Sequence, residues 1–152
     1  MLSQLIYHSH FVPGQQGALS VVRHIIETSE INNSRDRITG FLIFDKSTFL
    51  QILEGDADRI DATFQRISAD KRHRDLNVIS RRSLDQRAFQ DWAMGGYVRS
   101  TEAQSVYARY GVTGELDPIN LDADTIVRLA ADLLDFETNR QKERVVGNGG
   151  RL

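Results

Sequence analysis

A glutamine set inside an apolar strand is the first residue of this chain that calls for chemistry. In TFLQILE, residues 48–54, alternation puts Gln51 on one face with Phe49 and Leu53. A primary amide buried there without partners costs about 1–3 kcal/mol, so something must hydrogen-bond it. Backbone groups could do so, and Tyr7 is a second candidate. In LSQLIYHS, residues 2–9, Leu5, Tyr7 and Ser9 share the face expected to meet the helices, on a strand expected beside that of Gln51. A phenol facing an amide that both donates and accepts begins a polar network. Asn32 and Asn33 follow the expected end of the first helix, where one of the pair suits a C-cap. Two adjacent carboxamides at the mouth of a groove could instead read the donor–acceptor edge of a heterocycle.

Further along, DKRH at 70–73 places Arg72 and His73 at the exit of the second helix, where they could meet an anion such as a phosphate. Arg74, Arg81, Arg82 and Arg87 read as a solvated basic loop. In FQDWAM, 89–94, Trp92 and Met94 share a face of an expected strand, and methionine there could simply fill core space. Nucleic acid is not expected as a partner: the net charge is -2 and no aromatic interrupts the basic residues between Lys71 and Arg87. Four histidines without H-E-x-x-H spacing, and no cysteine, give no metal site and no thiol chemistry. The G-x-S-x-G elbow and both glycine-rich phosphate loops are absent. No apolar run approaches the ~18 residues of a membrane helix, and the cysteine-free composition fits a reducing cytoplasm.

The elements that must position these residues follow from periodicity. A strand at 2–9 is followed by a Pro13-Gly14 turn. The helix at 18–32 carries Ala18, Val21, Val22, Ile25 and Ser29 as its stripe. Residues 38–44, ITGFLIF, are apolar almost throughout, as in a strand covered on both faces. A turn at Asp45-Lys46-Ser47 makes a hairpin with the strand of Gln51. Asp56 caps a helix at 57–69 with Ile60, Phe64 and Ile67 buried, and strands follow at 76–80 and about 92–98. This order predicts an α+β, ferredoxin-like sandwich, βαββαβ plus one added strand, ending near Arg99. A capping box at Thr101–Gln104, a helix at 122–138 with Ile126, Leu129, Ala130 and Leu133 on one face, and a frayed tail complete the chain. The expected division is residues 1–98 as the compact domain and 99–152 as a C-terminal helical cap or output segment.

Taken together, L-I-Y-H-S at 5–9, E-T-S at 27–29, Asn33 to Gly40 as N-x-x-x-x-x-T-G, F-L-Q-I-L-E-G at 49–55, D-K-R-H at 70–73 and F-Q-D-W-A-M at 89–94 resemble the BLUF domains, flavin-based blue-light sensors. The resemblance covers about residues 1–98. It implies FAD bound without a covalent link, with Tyr7 as the photoactive tyrosine and Gln51 as the switching glutamine. By the same resemblance Asn33 holds the pyrimidine edge of the flavin, with Asn32 beside it at a position that varies in the family. Ile25, Ser29 and Phe49 would line the slot, Arg72 and His73 would stand near its ribityl-phosphate end, and Trp92 and Met94 would report the signalling state. The implied event is a switch: light-driven proton and electron movement leaves Gln51 rotated or tautomerised, and nothing is turned over.

About fifty residues follow the matched region, too few for a cyclase or phosphodiesterase, so the expected output passes to a separate effector protein or through a homo-oligomer. Two other classes compete with this reading. An acylphosphatase-like hydrolase on the same fold would want an arginine in the loop after the first strand, and Ser9–Gln16 has none. A ligand- or flavin-binding module without photochemistry would keep the groove and lack the light response.

Overall fold

The computed structural model describes residues 1–90 and 94–149. In chain order the main elements are β1 (Leu2–Phe11), α1 (Ala18–Asp36), β2 (Thr39–Asp45), β3 (Thr48–Asp56), α2 (Ala57–Ser68), β4 (His73–Ser83), β5 (Gly95–Val98), α3 (Gln104–Arg109) and α4 (Ala123–Gly149). One five-stranded sheet runs in the order β4-β1-β3-β2-β5. β3 lies antiparallel between β1 and β2, β1 lies antiparallel between β3 and β4, and β5 joins parallel to β2. Two interleaved strand–helix–strand units of this kind are the ferredoxin-like arrangement that the element order predicts, with one added strand.

Alternation along the central strands builds two cores. Leu5, Tyr7, Leu42, Phe49 and Leu53 meet Val22 of α1 and Ile60 of α2 on one face. Ile6, Phe41, Ile43, Leu50 and Ile52 meet Ile126, Leu129, Ala130 and Leu133 of α4 on the other, together with Tyr107 of α3. The β2 and β3 strands are buried on both sides, which is why their sequences read as nearly continuous apolar runs. Gly40 permits their close pairing, since a Cβ there would stand 2.0 Å from the Ile52 carbonyl oxygen.

Several boundaries differ from the sequence reading. Helix α1 continues through Asn32 and Asn33 to Asp36, and the left-handed cap is Arg37, φ 55°, whose N–H bonds the Asn33 and Ser34 carbonyls. Neither asparagine is therefore the C-cap: burial of Asn33 in tertiary contact outweighs its weak helix propensity. Strand β4 is longer than 76–80, so Arg74, Arg81 and Arg82 ride on an edge strand and not in a basic loop. Arg81 pairs with Asp61 at 2.5 Å and Arg82 with Asp124 at 2.7 Å. Arg87 donates to the backbone carbonyls of Arg37 and Glu54. Strand β5 runs over Gly95–Val98, and the first residues of the expected strand, 92 and 93, lie outside the described residues.

Packing does not stop near Arg99. Asp45, at the end of β2, holds Arg99 at 2.8 Å and accepts the Leu116 N–H at 2.7 Å, binding the β2–β3 turn to the 111–116 loop. The Arg99 guanidinium also lies 4.5 Å over the buried Tyr107 ring. The capping box at Thr101 is not formed: a 3-10 turn at Thr101–Ala103 precedes α3 without a side-chain cap, and Gln104 accepts from Arg99 instead. The tail expected to fray is helical to Gly149, because each glycine costs an established helix only about 1 kcal/mol.

Removing residues 121–152 uncovers the apolar outer face of the sheet, and the truncated protein is expected to aggregate in light-scattering measurements. Leu129→Ala tests the same contact more gently. Leu129 is fully buried, and its truncation should cost about 2–5 kcal/mol in urea unfolding.

Candidate functional site

The site grows from a cross-strand pair. Antiparallel register sets Tyr7 of β1 directly beside Gln51 of β3, and Gln51 beside Leu42 of β2, all facing the helices. An irregularity between Ile6 and Tyr7 shifts the pairing of β1 with β4 at this point. Above this floor a cavity of about 160 Å³ opens between α1 and α2. Helical spacing along α1 brings Ile25, Thr28, Ser29, Asn32 and Asn33 to one wall, while Thr63, Arg66 and Ile67 of α2 form the other. Leu42, Phe49 and Leu53 add apolar floor, and Asp70, Arg72 and His73 close one end.

Gln51 is the polar centre of the groove. Its Oε1 accepts from the Tyr7 hydroxyl, and its Nε2 donates to the Met94 Sδ at 3.4 Å. Both ends of the amide are thus used, one by a strong acceptor contact and one by a soft sulfur. All three side chains are almost wholly buried. Burial pushes the Tyr7 phenol well above its ordinary range, and the nearby Asp70 carboxylate raises it further. The phenol therefore stays protonated and remains a donor. Phe64 meets its ring edge-on at 5.4 Å.

The end of the groove is electrostatically more closed than the sequence suggests. Arg72 donates to Asp70 from Nε at 2.9 Å and from Nη2 at 2.5 Å, and its Nη1 lies 2.9 Å from His24 Nδ1. These contacts hold the Asp70 carboxyl below its usual range and the guanidinium above its own. His73 has both ring nitrogens engaged, Nδ1 with Ser9 Oγ at 2.8 Å and Nε2 with the Ile67 carbonyl at 2.6 Å. An Nε2–H donating to that carbonyl leaves Nδ1 to accept the serine proton. His73 thus braces the helix exit, and the Arg72 guanidinium beside it is oriented by Asp70 and His24.

The structure gathers Tyr7, Ile25, Ser29, Asn32, Asn33, Phe49, Gln51, Arg72 and His73 around one groove. Met94 joins through Gln51, and Trp92 lies outside the described residues. The sequence reading does not assign Thr28, Leu42, Leu53, Thr63, Arg66, Ile67 or Asp70 to the site. Their signal was present in part, since positions 25, 28–29, 32–33 on one helix and 63, 66–67 on the other repeat at helical spacing.

Comparison with known proteins agrees with this geometry. The model of a family described as sensors of blue light using FAD, BLUF, matches residues 2–95. Photoactivated adenylate cyclase subunit beta of Euglena gracilis is 28% identical over 93 residues, 61% of this chain and 11% of that subunit. The blue light- and temperature-regulated antirepressor BluF of Escherichia coli (strain K12) is 29% identical over 79 residues, 52% of this chain and 19% of that protein. The chain thus spans about a tenth to a fifth of the length of these two relatives. Among solved structures, the photo-activated state of BlsA superposes with a TM-score of 0.78 at 25% identity, over 88% of this chain and 95% of that one. The dark-state structure of BlrB gives 0.71 at 28% identity, over 86% and 96%. With a family model matched across most of the sheet, and Tyr7 and Gln51 paired at the floor of its groove, this chain belongs to the BLUF family of flavin-binding blue-light sensors.

Proposed function

We propose that this protein is a photoreceptor that holds FAD without a covalent bond between α1 and α2. Light would then be converted into a hydrogen-bond rearrangement at Tyr7, Gln51 and Met94. The observation that carries this reading is the orientation of Gln51, its oxygen on the phenol and its nitrogen on a thioether. The donor set fits a flavin. The Asn32, Asn33 and Gln51 carboxamides offer both donors and acceptors to a heteroaromatic edge. Ile25, Leu42, Phe49 and Leu53 supply apolar walls, and Ser29 a hydroxyl. Arg72 supplies positive charge at the end where a phosphate would lie, which favours a nucleotide form of the flavin such as FAD.

The bound flavin supplies blue-light absorption and, when excited, oxidising power. The protein supplies the proton path and the memory. Tyr7 Oη, kept neutral by burial, can pass its proton to Gln51 Oε1, the acceptor it already touches. The amide can then turn end for end, because the contact that it surrenders on the other side is a weak N–H···S bond. Two arrangements of one amide, separated by little energy, make a bistable element that light can bias. This is switching without turnover, so the protein acts as a sensor and not as an enzyme.

Residues 1–98 form the sensing part in this reading and 99–152 the output part. The half-buried Val127 and Leu134 of α4 offer a contact for an effector protein or for a second copy in a homo-oligomer. Among the described residues no helix is long and apolar enough to cross a membrane. The absence of cysteine suits a cytoplasmic setting.

A light-minus-dark absorption spectrum of the purified protein tests the whole reading. A reversible red shift of a flavin band supports it, and a colourless or light-inert protein refutes it. Tyr7→Phe should retain flavin and lose the red-shifted state, since the ring still fills its place but the transferable proton is gone. Gln51→Leu should also bind and fail to switch, and infrared difference spectra should lack the downshift of the flavin C4 carbonyl stretch. Asn33→Ala should weaken flavin affinity by about 1–3 kcal/mol, read by titrating refolded apoprotein with FAD. Unchanged affinity would make Asn33 a purely structural residue of α1.

A further inference from the structure

The sensing reading leaves the buried carboxylate of Glu54 unused. Glu54 is 0% exposed and lies on the face of β3 opposite Gln51, three residues further along the same strand. Its two oxygens take different donors. Oε2 accepts from Gln4 Nε2 and Oε1 from the Phe89 backbone N–H, each at 2.8 Å. Gln4 is itself held in one sense by Arg82, whose Nε donates to Gln4 Oε1 at 2.8 Å. Arg82 Nη1 then reaches Asp124, in the first turn of α4, at 2.7 Å. The chain Asp124–Arg82–Gln4–Glu54–Phe89 crosses three strands with every donor matched to an acceptor, and the amide of Gln4 links a guanidinium to a carboxylate.

Phe89 stands on the segment that ends at Met94. Its ring is buried and stacked on Phe41 at 5.9 Å, and Arg87 ties the same segment to the Glu54 and Arg37 carbonyls. β3 therefore holds two described residues from its two faces: Glu54 holds Phe89 from the α4 side, and Gln51 holds Met94 from the groove side. The grip is unequal. A hydrogen bond to a carboxylate outlasts an N–H···S contact, so a turn of Gln51 frees Met94 while Phe89 stays attached.

We infer that Glu54 is a positioning residue: its carboxylate fixes Phe89, five residues before Met94, and through Gln4 and Arg82 it ties Phe89 to the first turn of α4. The light response assigned to this chain of contacts rests on the proposed photochemistry; its dark geometry does not. Contiguity alone does not prove coupling, so the test reverses the polarity of the chain. In Glu54→Gln the new amide has one oxygen for two donors: keeping it on Gln4 turns the NH2 onto the Phe89 N–H and breaks that bond, and the reverse orientation sets it NH2 to NH2 against Gln4 or forces Gln4 to turn its own NH2 onto Arg82. In the double variant Gln4→Glu with Glu54→Gln, every donor again meets an acceptor, with the charge moved one strand over.

Amide hydrogen exchange is measured on the purified full-length protein, in darkness and under blue light, beside the absorption spectrum. In darkness Glu54→Gln should speed exchange at the Phe89 amide about tenfold, the factor set by losing one hydrogen bond to a charged group. The double variant should return it towards the wild-type rate. Under light the wild type should change its exchange in the first turn of α4. Glu54→Gln and Arg82→Gln should lose that change while keeping the red shift, and the double variant should regain it. Arg82 is partly exposed at the end of the chain, so its variant leaves the buried carboxylate in place. Wild-type exchange at Phe89 in Glu54→Gln would overturn the positioning role. An α4 response that is absent from the wild type, that survives both single variants, or that stays lost in a folded double variant would overturn the link. If Glu54→Gln does not fold, the double variant decides: wild-type protection at Phe89 supports the assignment, and failure to fold overturns it. A wild type without a red shift would refute the photochemistry, while the dark comparison would still judge Glu54.

Discussion

Everything at the site depends on one constraint: a primary amide buried in an apolar layer must satisfy both of its ends. Gln51 cannot leave its oxygen or its nitrogen unpaired without a cost comparable to a fair share of a domain's net stability. The groove is arranged around that need. Tyr7 is placed one strand away in direct register, and Met94, the residue just before β5, is brought up by the pairing of β5 with β2. The two contacts differ in kind, an O–H···O bond on one side and an N–H···S contact on the other.

The interleaved topology makes this possible. Inserting β3 between β1 and β2 puts phenol and amide on neighbouring strands although they are far apart in sequence. The two crossover helices then stand on one face and leave between them the cavity whose walls recur at helical spacing. The opposite face needs a cover of its own, which α4 supplies through Ile126, Leu129, Ala130 and Leu133. Sheet pleating separates the two faces by a single peptide step along β3, so a strand that carries the amide inward carries Glu54 outward. Sensing groove and C-terminal helix are therefore opposite sides of one element.

Electrostatics at the groove's far end follow a similar economy. Asp70 neutralises much of Arg72 and orients it, while Ser9 and the Ile67 carbonyl use up the hydrogen-bonding capacity of His73. The Arg-His pair is one oriented guanidinium beside an imidazole whose two nitrogens are both engaged within the protein.

The sequence by itself determined the order of strands and helices, because periods of two and of about 3.6 are local properties and each central strand repeats its own. It also marked Tyr7, Gln51, Asn33 and the FQDWAM segment, since polar groups at buried positions stand out in a pattern. Local pattern could not set where α1 ends: Asn32 and Asn33 read as a stop, and burial of Asn33 against the groove carries the helix one turn further to Arg37. Nor could it separate Arg87 and Arg82 from a solvated basic run, because their acceptors, the Glu54 carbonyl and the Gln4 amide, come from strands distant in sequence. His73 was legible as a groove residue but not as a brace, for the same reason. Residue type and spacing say which groups must be satisfied; only the tertiary structure decides by whom, because a hydrogen-bond partner is chosen by distance in space and not by distance along the chain.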